Sequence, residues 1–154
     1  MESEAPRAPT AAEHETLEPE WLLVFGAWGV AAAGTAGSLF FSEVMELPPC
    51  VLCWYQRICL FPLVVILARA LFPLDTRVVR YALPIAVLGW LTAGYHNLIY
   101  LGVVPENLQP CSRGVPCSQE SATWFGFLSI PLLSLLGFTL ITVLLVAVSR
   151  RSSR

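Results

Sequence analysis

Four cysteines stand in two close pairs, Cys50 with Cys53 and Cys111 with Cys117, and a fifth, Cys59, stands alone. The first pair follows two prolines and opens an apolar stretch: Pro48-Pro49-Cys50-Val51-Leu52-Cys53-Trp54-Tyr55-Gln56-Arg57. The prolines end an extended link, and a helix is expected to begin at the pair. A helix N-terminus offers partial positive charge and free N–H donors to a thiolate. Cys-x-x-Cys thiols can therefore titrate well below the ~8.5 of an ordinary cysteine. Arg57 follows about one turn later. At about 100° per residue, Cys53 and Arg57 differ by roughly 40° around the helix and about 6 Å along it. A cation is thus expected just below the Cys53 sulfur on the same face. An arginine entering an apolar segment is costly, which marks it as functional by default. The plainer alternative is a side chain snorkelling to headgroups. Cys59 lies about 240° from Cys53 and faces elsewhere. It reads as a small packing residue.

The second pair lies in Pro110-Cys111-Ser112-Arg113-Gly114-Val115-Pro116-Cys117. Proline and glycine make this a loop. An exposed loop disulfide suits exchange with a protein partner, because an incoming thiolate needs access to a sulfur. A structural staple is the alternative for the pair taken alone. His96 is the ionisable group of catalytic interest in the stretch before this loop.

The elements that must position these residues follow from composition. The chain has 154 residues, of which 56% are hydrophobic and 13% charged. Soluble domains carry about 25% charged residues, so a membrane protein is expected. Residues 1–20 hold six of the eleven acids and read as a disordered acidic tail. Residues 21–149 read as one membrane domain, and residues 150–154 as a basic C-terminal tail. Four long stretches lack acids: residues 21–41, 52–71, 81–104 and 121–149. Each meets the roughly 20 residues needed to cross a bilayer. Within lipid such segments must be helical. The fold class expected is an all-α, four-transmembrane-helix bundle. Gly26, Gly29, Ala33, Gly34 and Gly37 would let the first helix approach its neighbours closely. Pro62, Pro84 and Pro131 lie inside the second, third and fourth stretches, where each is expected to bend its helix or end a turn. Ala31-Ala32-Ala33 resembles a signal cleavage site. The acidic start and the apolar run continuing to Phe41 argue against cleavage.

Arg69, Arg77 and Arg80 cluster around the middle link, and Arg150, Arg151 and Arg154 at the C-terminus. The positive-inside rule then places both termini and the middle link in the cytoplasm. Both cysteine pairs fall on the outer face, where disulfides persist. No basic nucleic-acid face is present.

The chain resembles the disulfide bond formation protein B family, the quinone-linked oxidases of bacterial membranes. The resemblance covers about residues 21–149, and its most specific element is Cys50-Val51-Leu52-Cys53-Trp54-Tyr55-Gln56-Arg57. It implies a bacterial inner-membrane enzyme with a quinone, ubiquinone or menaquinone, beside the first pair, and no metal. Cys53 would touch the quinone and Arg57 would support it. Cys50 would communicate with the second pair. Cys111 would form the mixed disulfide with a thioredoxin-like extracytoplasmic dithiol oxidase, and Cys117 would complete the loop disulfide. His96 matches a position near the quinone, where a neutral ring would donate a hydrogen bond to an oxygen. The family's role is to keep the bacterial periplasm oxidising. Only five residues separate Cys111 from Cys117. That interval fits the short-loop branch, in which the order of exchange differs from longer-loop members and the partner is open to being membrane-tethered.

Three other readings use the same residues. A structural zinc site would take all four paired cysteines, although Cys-x5-Cys is looser than the usual spacing. A membrane scaffold would use the pairs as staples. A vitamin K epoxide reductase-like enzyme shares the chemistry, but its active pair belongs to a later helix.

Overall fold

The computed structural model describes residues 11–72, 75–104 and 129–152, with side chains from residue 19 onward. Cys111, Cys117 and the loop around them lie outside the described residues. Among the described residues are four long helices: α1 (Ala11–Leu39), α2 (Val51–Leu71), α3 (Val79–Tyr100) and α4 (Ile130–Ser152). All four have segments long and apolar enough to cross a membrane, the first from Pro19 to Val44. No strand occurs among the described residues. The all-α, four-span architecture expected from the sequence is what the chain adopts.

The helices form a ring in which α1 packs on α2 and α4, and α3 packs on α2 and α4. The core is built of small and branched side chains, including Ala27, Ala31, Leu63, Leu67, Ala86, Ile141 and Leu145. Outside, Leu22, Phe25, Val65, Leu88, Leu133 and Val143 are exposed. Apolar side chains spread over every helix require lipid around the ring. Close approach is most acute at Gly89, where a Cβ would collide with the Phe138 ring of α4. Trp90 Nε1 donates to Thr139 Oγ1 at 2.9 Å across the same contact.

Helix ends follow local chemistry. The backbone is helical from Ala11, ten residues ahead of the apolar run at Trp21. Alanine and glutamate dominate that lead-in, and both favour helix. At its other end α1 widens into a π-helical turn, Phe40–Val44. Helix α3 ends at Tyr100 rather than running to residue 104. Gly102 takes φ +72°, a left-handed conformation that favours glycine. The Val103 N–H then bonds Leu98 O at 3.0 Å and the Gly102 N–H bonds Ile99 O at 2.9 Å, closing the last turn. The described part of α4 starts after Ser129, whose Oγ accepts from Leu132 N at 3.4 Å. Pro131 sits in that first turn, where its missing N–H costs nothing. Pro62 and Pro84 lie inside α2 and α3 as expected.

The contact of Thr76 Oγ1 with Ser152 Oγ at 3.1 Å puts the α2–α3 link and the end of α4 at one end of the ring. Cys50 and His96 meet at the opposite end.

Candidate functional site

Cys50 is the N-cap of α2, and its Sγ accepts from the Cys53 N–H at 3.4 Å. The prolines before it carry the chain in as an extended link, which releases into helix at Val51. The two sulfurs stand 3.2 Å apart, a dithiol separation rather than the ~2.05 Å of a disulfide. Cys50 is 1% exposed and packs with Leu52 and Ile99, beside Tyr95 and Val104. Cys53 is half-buried and packs against the same cluster.

His96 comes from α3 and is fully buried. Its Nε2 lies 3.9 Å from Cys50 Sγ, and its Nδ1 lies 3.3 Å from Gln56 Nε2. Cys50 sits one residue outside the α2 span. Its thiol is held well below the ordinary cysteine range, first by the hydrogen bond with the Cys53 thiol. Burial opposes this, and His96 and the Cys53 N–H assist it.

Arg57 is 8% exposed. Its Nε donates to Ser38 Oγ and its Nη2 to Ser38 O, both at 2.6 Å. The guanidinium also lies 5.5 Å from the Trp54 ring centroid, within cation–π range. No carboxylate among the described residues pairs with it. The charge is therefore held against Ser38 of α1.

Beside it lies a cavity of about 790 Å³ between α1, α2 and α4. Cys53, Gln56, Arg57 and Ser38 line its polar part; Ala33, Gly34, Gly37, Leu60, Leu133, Gly137 and Ile141 are among its apolar walls. Small residues on two facing helices open the space. A few polar groups on an apolar cavity of this size are the pattern of a small-molecule site.

The structure thus brings Cys53 and Arg57 to one cavity wall, and Cys50 and His96 together next to Cys53. His96 does not line the cavity. Cys59 packs against the helical core. Sequence reasoning did not single out Ser38 or Gln56. Gln56 carried a signal, a neutral amide between Tyr55 and Arg57 in an apolar run. Ser38 carried little, because its role depends on α1 meeting α2.

The model of the family described as disulfide bond formation protein DsbB matches residues 19–148. A probable disulfide formation protein of Metapseudomonas resinovorans is 45% identical over 134 residues, covering 86% of this chain and 93% of the relative. Disulfide bond formation protein C of Bacillus subtilis is 44% identical over 122 residues, covering 79% and 88%. A probable disulfide formation protein C 1 of Bacillus cereus is 46% identical over 121 residues, covering 78% and 86%. No solved structure matches. With four membrane-length helices and a Cys-x-x-Cys pair at the head of α2, the chain belongs to the DsbB family of disulfide-forming membrane oxidoreductases.

Proposed function

We propose that the chain reoxidises an extracytoplasmic thioredoxin-like dithiol oxidase and uses a membrane quinone as electron acceptor. The observation that carries this is the shared wall: a cysteine sulfur and a buried cation with no carboxylate partner among the described residues line one apolar cavity. Cys53, Gln56, Arg57 and Ser38 would meet the head group, and the apolar walls its ring and tail. A quinone held there supplies a two-electron, two-proton acceptor, ubiquinone or menaquinone.

The residues of the chain divide the remaining work. A partner thiolate attacks Cys111 Sγ and expels the Cys117 thiolate. The partner's second thiol then breaks the mixed disulfide and leaves Cys111 reduced. One loop thiolate attacks Cys50 of the Cys50–Cys53 disulfide, and Cys53 leaves as a thiolate. The other loop thiol displaces Cys50, so the loop is oxidised as the first pair is reduced. Arg57, clamped by Ser38, stabilises negative charge at the cavity wall. His96 acts at Cys50, the sulfur it faces, and not on the cavity occupant. With the positive-inside orientation, both termini are cytoplasmic and both pairs act on the outer face of the bacterial inner membrane.

The test supplies purified protein with a reduced thioredoxin-like partner and a short-chain quinone, and follows quinone absorbance. Wild type should turn over, and Cys50→Ser and Cys53→Ser should stop it. Turnover at the wild-type rate in both variants would end the proposal. Cys117→Ser should trap the partner as a mixed disulfide on Cys111, which mass spectrometry would identify.

A further inference from the structure

The fold adds a third soft ligand to the first cysteine pair. Cys50 Sγ, Cys53 Sγ and a ring nitrogen of His96 all lie within 4.8 Å of one another. The sulfurs are 3.2 Å apart, and Cys50 Sγ is 3.9 Å from His96 Nε2. A tetrahedral zinc ion with sulfurs at ~2.3 Å and nitrogen at ~2.0 Å holds its ligands about 3.5–3.8 Å apart. The two separations bracket that range, and Cys53 Sγ and the His96 nitrogen, within 4.8 Å, would close by up to about 1.3 Å to reach it. Two thiolates, one imidazole and an open fourth position are a known zinc donor set.

We propose that Cys50, Cys53 and His96, in the dithiol state, bind a thiophilic divalent cation of the zinc class, and that filling this site arrests the thiol relay. Three further features support it. Gln56 lies 3.3 Å from His96 Nδ1. With its amide oxygen turned to the ring, it accepts the Nδ1–H and leaves the Nε2 lone pair toward the sulfurs. Such an outer partner orients metal-binding histidines generally. Second, Cys50 and His96 are buried, and two thiolates neutralise the dication, so the complex is uncharged where a bare ion would be costly. Third, Cys53 reaches the cavity, which supplies an entry path and the fourth ligand position.

Binding replaces thiol protons with metal: one dication and two thiols give a dithiolate complex and two protons, with no electron transferred. The disulfide form has neither thiolate and cannot bind this way. Excess metal outside the cytoplasm would therefore hold the pair reduced and halt exchange. The inference requires the dithiol but not the quinone. Metal binding is read by spectroscopy and the oxidase by turnover, so one can fail without the other.

The experiment titrates Co2+, then Zn2+, into reduced, quinone-free, full-length protein under anaerobic conditions in detergent. One metal per chain should bind, with the absorption of tetrahedral Co2+ and sulfur-to-cobalt charge transfer. The signal should be absent from oxidised protein and present in the Cys111→Ser/Cys117→Ser double variant. X-ray absorption of the zinc form should show two sulfurs near ~2.3 Å and an imidazole nitrogen near ~2.0 Å. Gln56→Leu should weaken binding by about 10- to 100-fold. The idea is overturned if reduced wild type binds no metal, if oxidised protein binds equally well, or if the double variant loses the site. An all-sulfur shell on wild type overturns it without any variant.

Discussion

Replacing Arg57 by lysine keeps the positive charge but removes the fork that grips Ser38. The guanidinium makes two bonds to one residue of α1, to Oγ and to the backbone oxygen, both at 2.6 Å. An ammonium on a flexible stem does not reproduce that planar pair. Losing one charge-assisted bond costs about 1.5–3 kcal/mol. If the clamp is what fixes the charge at the cavity wall, quinone-linked turnover should fall about tenfold to hundredfold, since ~1.4 kcal/mol is a factor of ten. Arg57→Met removes the charge as well and should lie about 10²- to 10³-fold below wild type, as for loss of an oxyanion donor. Both variants should keep their first exchange. Oxidised enzyme without quinone should still oxidise partner in a stoichiometric burst, because Cys50, Cys111 and Cys117 are untouched. Stopped-flow fluorescence of the partner reads the burst, and quinone absorbance reads turnover. Wild-type turnover in Arg57→Lys, or loss of the burst along with turnover, refutes the division of labour.

Other substitutions test the frame around the site. Gly89→Ala places a methyl inside the Phe138 ring position and should destabilise the α3–α4 contact by about 1–3 kcal/mol, seen as a lower unfolding midpoint in detergent. Gly102→Ala forces a side chain into the left-handed region at φ +72°. It should cost about 1–2 kcal/mol in the same assay. Cys59 packs on the core away from the redox pair, so Cys59→Ala should retain turnover. A loss of more than about half the wild-type rate in a folded Cys59→Ala protein would give that thiol a part in the relay.

The membrane helices were legible because lipid imposes a one-dimensional rule. A charge-free run of sufficient length must be a helix, whatever it packs against. Their ends were less legible because they depend on single backbone conformations. The apolar run of the third helix passes through Gly102 without interruption, yet the left-handed turn there ends the helix. Likewise Ser129 looks like any polar residue in an apolar stretch, but its hydroxyl caps the first turn of α4. The site divides along the same line. Cys53 and Arg57 share one helix, so periodicity alone aligned them. Ser38 and His96 reach α2 from α1 and α3, and no pattern within α2 foretells either contact.

That division bears on why the pair opens the helix. Cys50 is the cap, with an extended backbone at φ −69° and ψ 170°, and Cys53 is inside the first turn. The cap residue is free of the helical screw, so the two sulfurs can stand 3.2 Å apart while Cys50 is buried beside His96 and Cys53 also reaches the cavity. Cys50 meets His96 of α3 among apolar neighbours. Cys53 meets the cavity and the clamped cation between α1, α2 and α4. One small-ring disulfide would therefore join the sulfur beside His96 to the sulfur on the cavity wall, and Gln56 lies on the same path, lining the cavity and touching His96. In the proposed relay, electrons enter at the sulfur facing α3 and leave at the sulfur facing the cavity, so the loop and the acceptor need not occupy the same space. Moving the pair a full turn into the helix would put both sulfurs on regular helical positions and take away the freedom of the cap.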